Sequence, residues 1–100
     1  MKICSEDLLN EFRTPGLCEC CGKLCRMREP HHIFARGRSN AFRMDTRCNL
    51  IALGQAFQCE CHAKVHVGQI KRRALLVIVA KREGRDVDEM ELWLKKTRMA

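Results

Sequence analysis

The sequence has no apolar export segment near its start: Lys2, Ile3, Cys4, Ser5, Glu6 and Asp7 follow Met1. It also lacks an apolar run able to cross a bilayer. The longest, Ala74 to Ala80, falls far short of the roughly 20 residues that a hydrocarbon core demands. Internal repeats and low-complexity stretches are missing too, so neither a repeat array nor a biased linker is expected. These absences lead us to expect a cytoplasmic protein with no membrane partner. In that reducing setting eight cysteines read as metal-binding thiols rather than a disulfide framework.

What is present bounds the rest. One hundred residues fit a single domain, 1–100, and a domain this small buries a modest fraction of its surface, so a metal or an oligomer interface is a natural staple. Nineteen Lys and Arg against twelve Asp and Glu leave a formal charge of +7. That favours a polyanionic partner through phosphate neutralisation and counterion release, with nucleic acid the leading candidate.

The pattern predicts an α+β, mostly helical small domain. Ser5 reads as the cap of a helix carrying Leu8, Leu9 and Phe12, stopped by Thr14-Pro15-Gly16. A cysteine-dense basic stretch runs from Leu17 to Arg28, and Glu29-Pro30 then feeds a strand, His31-His32-Ile33-Phe34. Arg36 to Asn40 reads as a basic loop, Cys48 to Leu53 as a second strand, and about Cys59 to Val67 as a helix. On that helix His62 and His66 are one turn apart and share a face. A C-terminal helical extension over 69–98 follows: a buried helix in Gln69 to Arg82, then a last one opened by Asp86 and Glu89 as a capping box and carrying Met90, Trp93 and Leu94.

The four histidines are the most informative feature, an adjacent pair and an i,i+4 pair with Asn49 between them. Here the sequence resembles the HNH endonucleases. The likeness runs from Cys18 to about His66, through Cys18-Glu-Cys20-Cys21-Gly22, Pro30-His31-His32-Ile33, Asn49-Leu50-Ile51-Ala52-Leu53 and Cys61-His62-Ala63-Lys64-Val65-His66. It implies a β-β-α-metal core within 18–67, two antiparallel strands and a helix around one divalent cation. It also implies that His31 is a metal ligand and His32 the general base. Adjacent strand residues point to opposite sides, so one imidazole can face the ion and the other a water lined up on phosphorus. By the same likeness Asn49 orients the base, and His62 and His66 complete the metal site with His31, leaving positions open for phosphate and water. Such a set suits Mn²⁺, Co²⁺ or Ni²⁺ as well as Mg²⁺.

Cys18 and Cys21, followed by Gly22, form half of a zinc knuckle, and Cys59 with Cys61 would supply the other half of a structural Zn²⁺ site. The family usually spaces its second pair Cys-x-x-Cys; here Gln58 holds that first position, so Cys20, Cys25 and Cys48 stay open as substitutes for Cys59. The implied function is a DNA endonuclease acting on double-stranded DNA, nicking with little sequence preference. Arg36, Arg38, Arg43 and Arg47, between the two strands, are the candidate phosphate contacts. The C-terminal helices would cover the core or form a homodimer interface. A non-catalytic zinc module that binds DNA or protein is the rival reading.

Overall fold

Ser5 begins the first helix as expected. Its hydroxyl accepts a hydrogen bond from the Leu8 N–H at 3.2 Å, and Glu6 and Asp7 sit in the first turn, where the helix dipole favours acidic groups. This computed structural model describes residues 2–34, 43–55 and 59–99. In chain order their elements are β1 (Lys2–Ile3), α1 (Glu6–Arg13), β2 (Gly16–Leu17), β3 (Leu24–Cys25), β4 (Arg28–His32), β5 (Arg43–Met44), β6 (Leu50–Gly54), α2 (Cys61–His66), α3 (Arg72–Glu83) and α4 (Val87–Met99). A 3-10 turn over Arg47–Asn49 precedes β6. The described chain is thus a small α+β fold with four helices, two antiparallel strand pairs, β2–β3 and β4–β6, and one parallel pair, β1–β5.

The β4–β6 pair is the centre of the fold, with His31 opposite Ile51 and His32 opposite Leu50. Every residue of β6 is buried, which explains why its sequence is an unbroken apolar run rather than an alternation. Its two faces serve different layers. Leu50 and Ala52 pack with Leu9 and Phe12 of α1. Ile51 and Leu53 join the larger core with Leu75, Leu76 and Val79 of α3 and Met90 and Leu94 of α4. Each such fully buried side chain contributes about 1.5–3 kcal/mol of transfer free energy. Because residues paired across an antiparallel ladder share a face, His31 lies on the α3 side with Ile51 and His32 on the α1 side with Leu50.

Differences from the sequence expectations are local. The first strand begins earlier and ends at His32, and the second begins at Leu50 because Arg47–Asn49 coil into the 3-10 turn. Helix α3 starts at Arg72, after Gly68 at φ +79°, and stops at Gly84, whose φ of +66° is a left-handed conformation that glycine adopts without strain. At α4 the Asp86 carboxylate accepts from the Glu89 N–H at 2.9 Å. Met90 and Leu94 face inward, whereas Trp93 remains 46% exposed.

Asn49 is completely buried, and its side chain serves the backbone. Its Oδ1 accepts from the Phe34 N–H at 2.8 Å, while Nδ2 donates to the carbonyls of Phe34 at 3.2 Å and Met44 at 3.0 Å. The expectation that Asn49 orients His32 is therefore corrected: its amide bonds to backbone groups, tying the chain after β4 to the end of β5. Replacement by Ala strands these buried partners, and Asn49→Ala is expected to lower unfolding free energy by about 3 kcal/mol. Urea denaturation tests this; a loss under about 1 kcal/mol would contradict a structural role.

Candidate metal centre and histidine cleft

Strand β4 delivers His31 and helix α2 delivers His62 and His66, and the three converge. Their ring nitrogens can be chosen so that one from each lies within 4.8 Å of the others. His62 and His66 bring their Nε2 atoms to 2.9 Å, and the His31 ring centroid is 5.9 Å from that of His62 and 5.6 Å from that of His66. Nitrogens sharing one ion at about 2.0–2.1 Å sit roughly 3 Å apart, so this set fits a common cation. Burial, together with the neighbouring histidines, pushes the His31 pKa down to about 4, and the same causes lower that of His62. His31 is therefore neutral at pH 7, the protonation state a metal ligand requires.

His32 points to different company. Its Nε2 lies 2.7 Å from Asp45 Oδ1, and the Asp45 side chain has no solvent exposure. Two further residues hold Asp45: Arg43 Nε donates to both carboxylate oxygens at 3.1 and 2.9 Å, Arg43 Nη2 lies 2.7 Å from Oδ2, and the Ser5 N–H donates at 2.8 Å. Burial alone would raise the Asp45 pKa, but bonds from Arg43, His32 and Ser5 hold it well below the usual carboxylate range. A carboxylate only accepts, so the Nε2 of neutral His32 carries the hydrogen and Nδ1 keeps its lone pair. His32 also lines both clefts beside the other histidines, of about 340 and 290 Å³. Asp45 escaped the sequence reading; its one signal was a lone acid two residues after Arg43.

The second cluster is made of thiols. Cys18, Cys21, Cys59 and Cys61 bring their sulfurs within 4.8 Å of one another and could hold a metal ion. Four thiolates around a tetrahedral ion at about 2.3 Å would be spaced by roughly 3.8 Å. Gly22, at φ +78°, closes the tight turn that lets its N–H reach the Cys18 carbonyl at 2.8 Å. Burial raises the Cys18 pKa, yet backbone N–H groups at Cys21, Gly54 and Cys20 outweigh it and bring the value down to about 7. Burial and the adjoining thiols push Cys59 up to about 11 and raise Cys61 as well. Cys59 joins despite its shortened spacing. Among the described residues the substitutes stand outside the group: the Cys25 thiol donates to the Lys23 carbonyl at 3.3 Å, Cys48 meets Arg85 Nη1 at 3.5 Å, and Cys20 is half-buried nearby.

Glu19, between the cysteines, fixes the knuckle to the fold. Its N–H donates to the Ala52 carbonyl at 2.9 Å, and its carboxylate accepts from the Ala52 N–H at 2.7 Å and from Arg82 Nη1 at 2.7 and 2.8 Å. The sequence reading missed this role, because a partner 63 positions away leaves no local signal.

The arginines differ from expectation. Arg36 and Arg38 lie outside the described residues. Arg43 is spent on Asp45 and, at 3.2 Å, Glu6; Arg47 pairs with Glu83 at 3.1 Å and Glu11 at 3.2 Å. Both guanidiniums are paired with the protein's own carboxylates, which offset part of the charge they could offer to a phosphate. For the thiols, elemental analysis of purified protein is expected to find one tightly held ion per chain that Cys59→Ser loses and Cys25→Ser keeps; full occupancy in Cys59→Ser would remove that residue from the site. No family model, curated protein sequence or solved structure matches this chain.

Proposed function

We propose that the protein is a divalent-metal-dependent endonuclease acting on double-stranded DNA, of the HNH kind that its histidine motifs resemble, with β4, β6 and α2 as a β-β-α-metal core. The observation that carries this reading is the division of labour among four histidines. Three converge as a ligand set, and the fourth sits beside them on a buried carboxylate. The net charge of +7 supports a polyanionic substrate.

In this reading Cys18, Cys21, Cys59 and Cys61 hold a structural Zn²⁺, the ion that four thiolates favour in a closed site. His31, His62 and His66 hold the catalytic ion, Mg²⁺, Mn²⁺, Co²⁺ or Ni²⁺, and a set of three imidazoles with open positions favours the softer of these. When bound, that ion supplies Lewis-acid polarisation of a phosphoryl oxygen and neutralises charge on the leaving oxygen. His32 accepts, at Nδ1, the proton of the water that attacks phosphorus. Asp45 keeps Nε2 protonated, fixes the ring and stabilises the imidazolium that results, so it is a positioning residue. Arg43 and the Ser5 N–H keep Asp45 ionised and still.

Conversion of supercoiled plasmid tests the reading, with Mg²⁺, Mn²⁺, Ni²⁺ or no added ion. Wild type is expected to nick only with added ion. His32→Ala should slow the reaction by at least about 100-fold, and Asp45→Asn by about 10- to 100-fold with an unchanged KM and unchanged zinc content. DNA binding with no cleavage under any ion would overturn the enzyme and favour a zinc-bearing binding module. Full activity in His32→Ala would remove the base.

A further inference from the structure

The two clefts beside the histidines differ in the charge that borders them. His31, His32 and His66 line both, so the clefts meet at the candidate catalytic group. The larger is bordered by Glu29 and by Arg13, which is already paired with Glu6 at 3.5 Å and hydrogen-bonded to Asn10 at 2.8 Å. The smaller, about 290 Å³, runs between β4, α2 and the start of α3 and is bordered by Lys71 and Arg72.

Those two cations differ from several arginines elsewhere. Arg43, Arg47, Arg73 and Arg82 all make ion pairs with the protein's own carboxylates. Among the described residues neither Lys71 nor Arg72 meets a carboxylate. The Arg72 guanidinium lies over the Phe34 ring, 4.4 Å from its centroid, a contact that fixes the group without neutralising it. The Lys71 ammonium turns back over Gly68, another residue of this cleft; a Cβ built there would lie 4.0 Å from Nζ. Two unneutralised cations thus face a cavity whose other wall is the histidine cluster.

We propose that this cleft binds a phosphate of the DNA backbone next to the one that meets the histidines, with Lys71 and Arg72 as its contacts. This rests on the endonuclease reading above and adds two cations that, unlike Arg43 and Arg47, pair with no carboxylate among the described residues. Arg72 offers a planar fork of donors and Lys71 a compact charge, and neither reads base identity, so the contact is sequence-independent. The C-terminal extension, beyond the segment that carries the histidine motifs, then holds substrate as well as covering the core.

Binding read without turnover separates this proposal from the nuclease reading. A fluorescent duplex of about 20 base pairs would be titrated with zinc-loaded protein, no further divalent ion present, between about 50 and 200 mM salt. A denaturing gel verifies that the duplex stays intact. The variants are Lys71→Ala/Arg72→Gln and, as a control for bulk charge, Lys81→Ala/Lys96→Ala, whose residues border neither cleft. The first pair is expected to bind about tenfold more weakly, with the slope of log K against log salt flatter by about one; the control should stay within about twofold of wild type. Equal weakening by both pairs, or wild-type binding by the first, overturns the cleft. Tighter binding to a duplex RNA of the same sequence, lost in the first pair, overturns DNA as its occupant. Binding through Lys71 and Arg72 by a protein that nicks nothing overturns the nuclease reading and leaves the phosphate contacts standing.

Discussion

The arrangement depends on holding a helix too short to hold itself. Helix α2 has six residues, and isolated helices under about 12 residues are marginal in water because nucleation costs more than so few bonds return. Yet α2 carries two of the three converging histidines. Its hold comes from its first residue: Cys61 is buried and belongs to the thiol cluster with Cys59, Cys18 and Cys21. The Cys18 turn is in turn fixed to β6 and α3 by Glu19, its Ala52 bonds and Arg82. A chain of contacts therefore runs from the core to the cysteines and on to His62, the next residue along α2. If the cluster closes on an ion, the position of the imidazoles follows from it.

The second constraint is the pleat of one strand pair. His31 and His32 are adjacent, so β4 directs them to opposite faces, one toward α2 and the other toward α1, β1 and β5. A single dipeptide thereby serves two environments, a shared ligand set and a bond to a buried carboxylate. The sheet positions both because β6 beneath them is buried on each side, and a slip of one residue in register would exchange their faces.

Much of this was legible in the sequence, for identifiable reasons. Local signals held: Ser5 caps α1, Asp86 caps α4, and the i,i+4 spacing of His62 and His66 does put them side by side. Convergence across long separations was legible only where residue type was scarce, as with four histidines in 100 residues. Common residue types gave no such signal. Asp45, Glu19 and Arg82 each act through partners 13 to 63 positions away, and acids and arginines are everywhere in this chain. Asn49 was noticed but its work was misread, since an amide that clamps two backbone segments looks, in sequence, like one that orients an imidazole. The carboxylate partners of Arg43 and Arg47 were not legible either, because a sequence shows charge without showing what pairs with it.

Titrating Co²⁺ into zinc-loaded and zinc-free protein and following absorption tests whether an ion in the thiol cluster sets the geometry of the histidine cluster. In zinc-loaded protein one further Co²⁺ per chain is expected to bind, with weak bands free of sulfur charge transfer and lost in His62→Ala. In zinc-free protein the first Co²⁺ should instead produce intense thiolate charge transfer, and the histidine bands should emerge only after that site has filled. Equally tight histidine binding with the thiol site vacated, as in Cys18→Ser protein, would contradict the account.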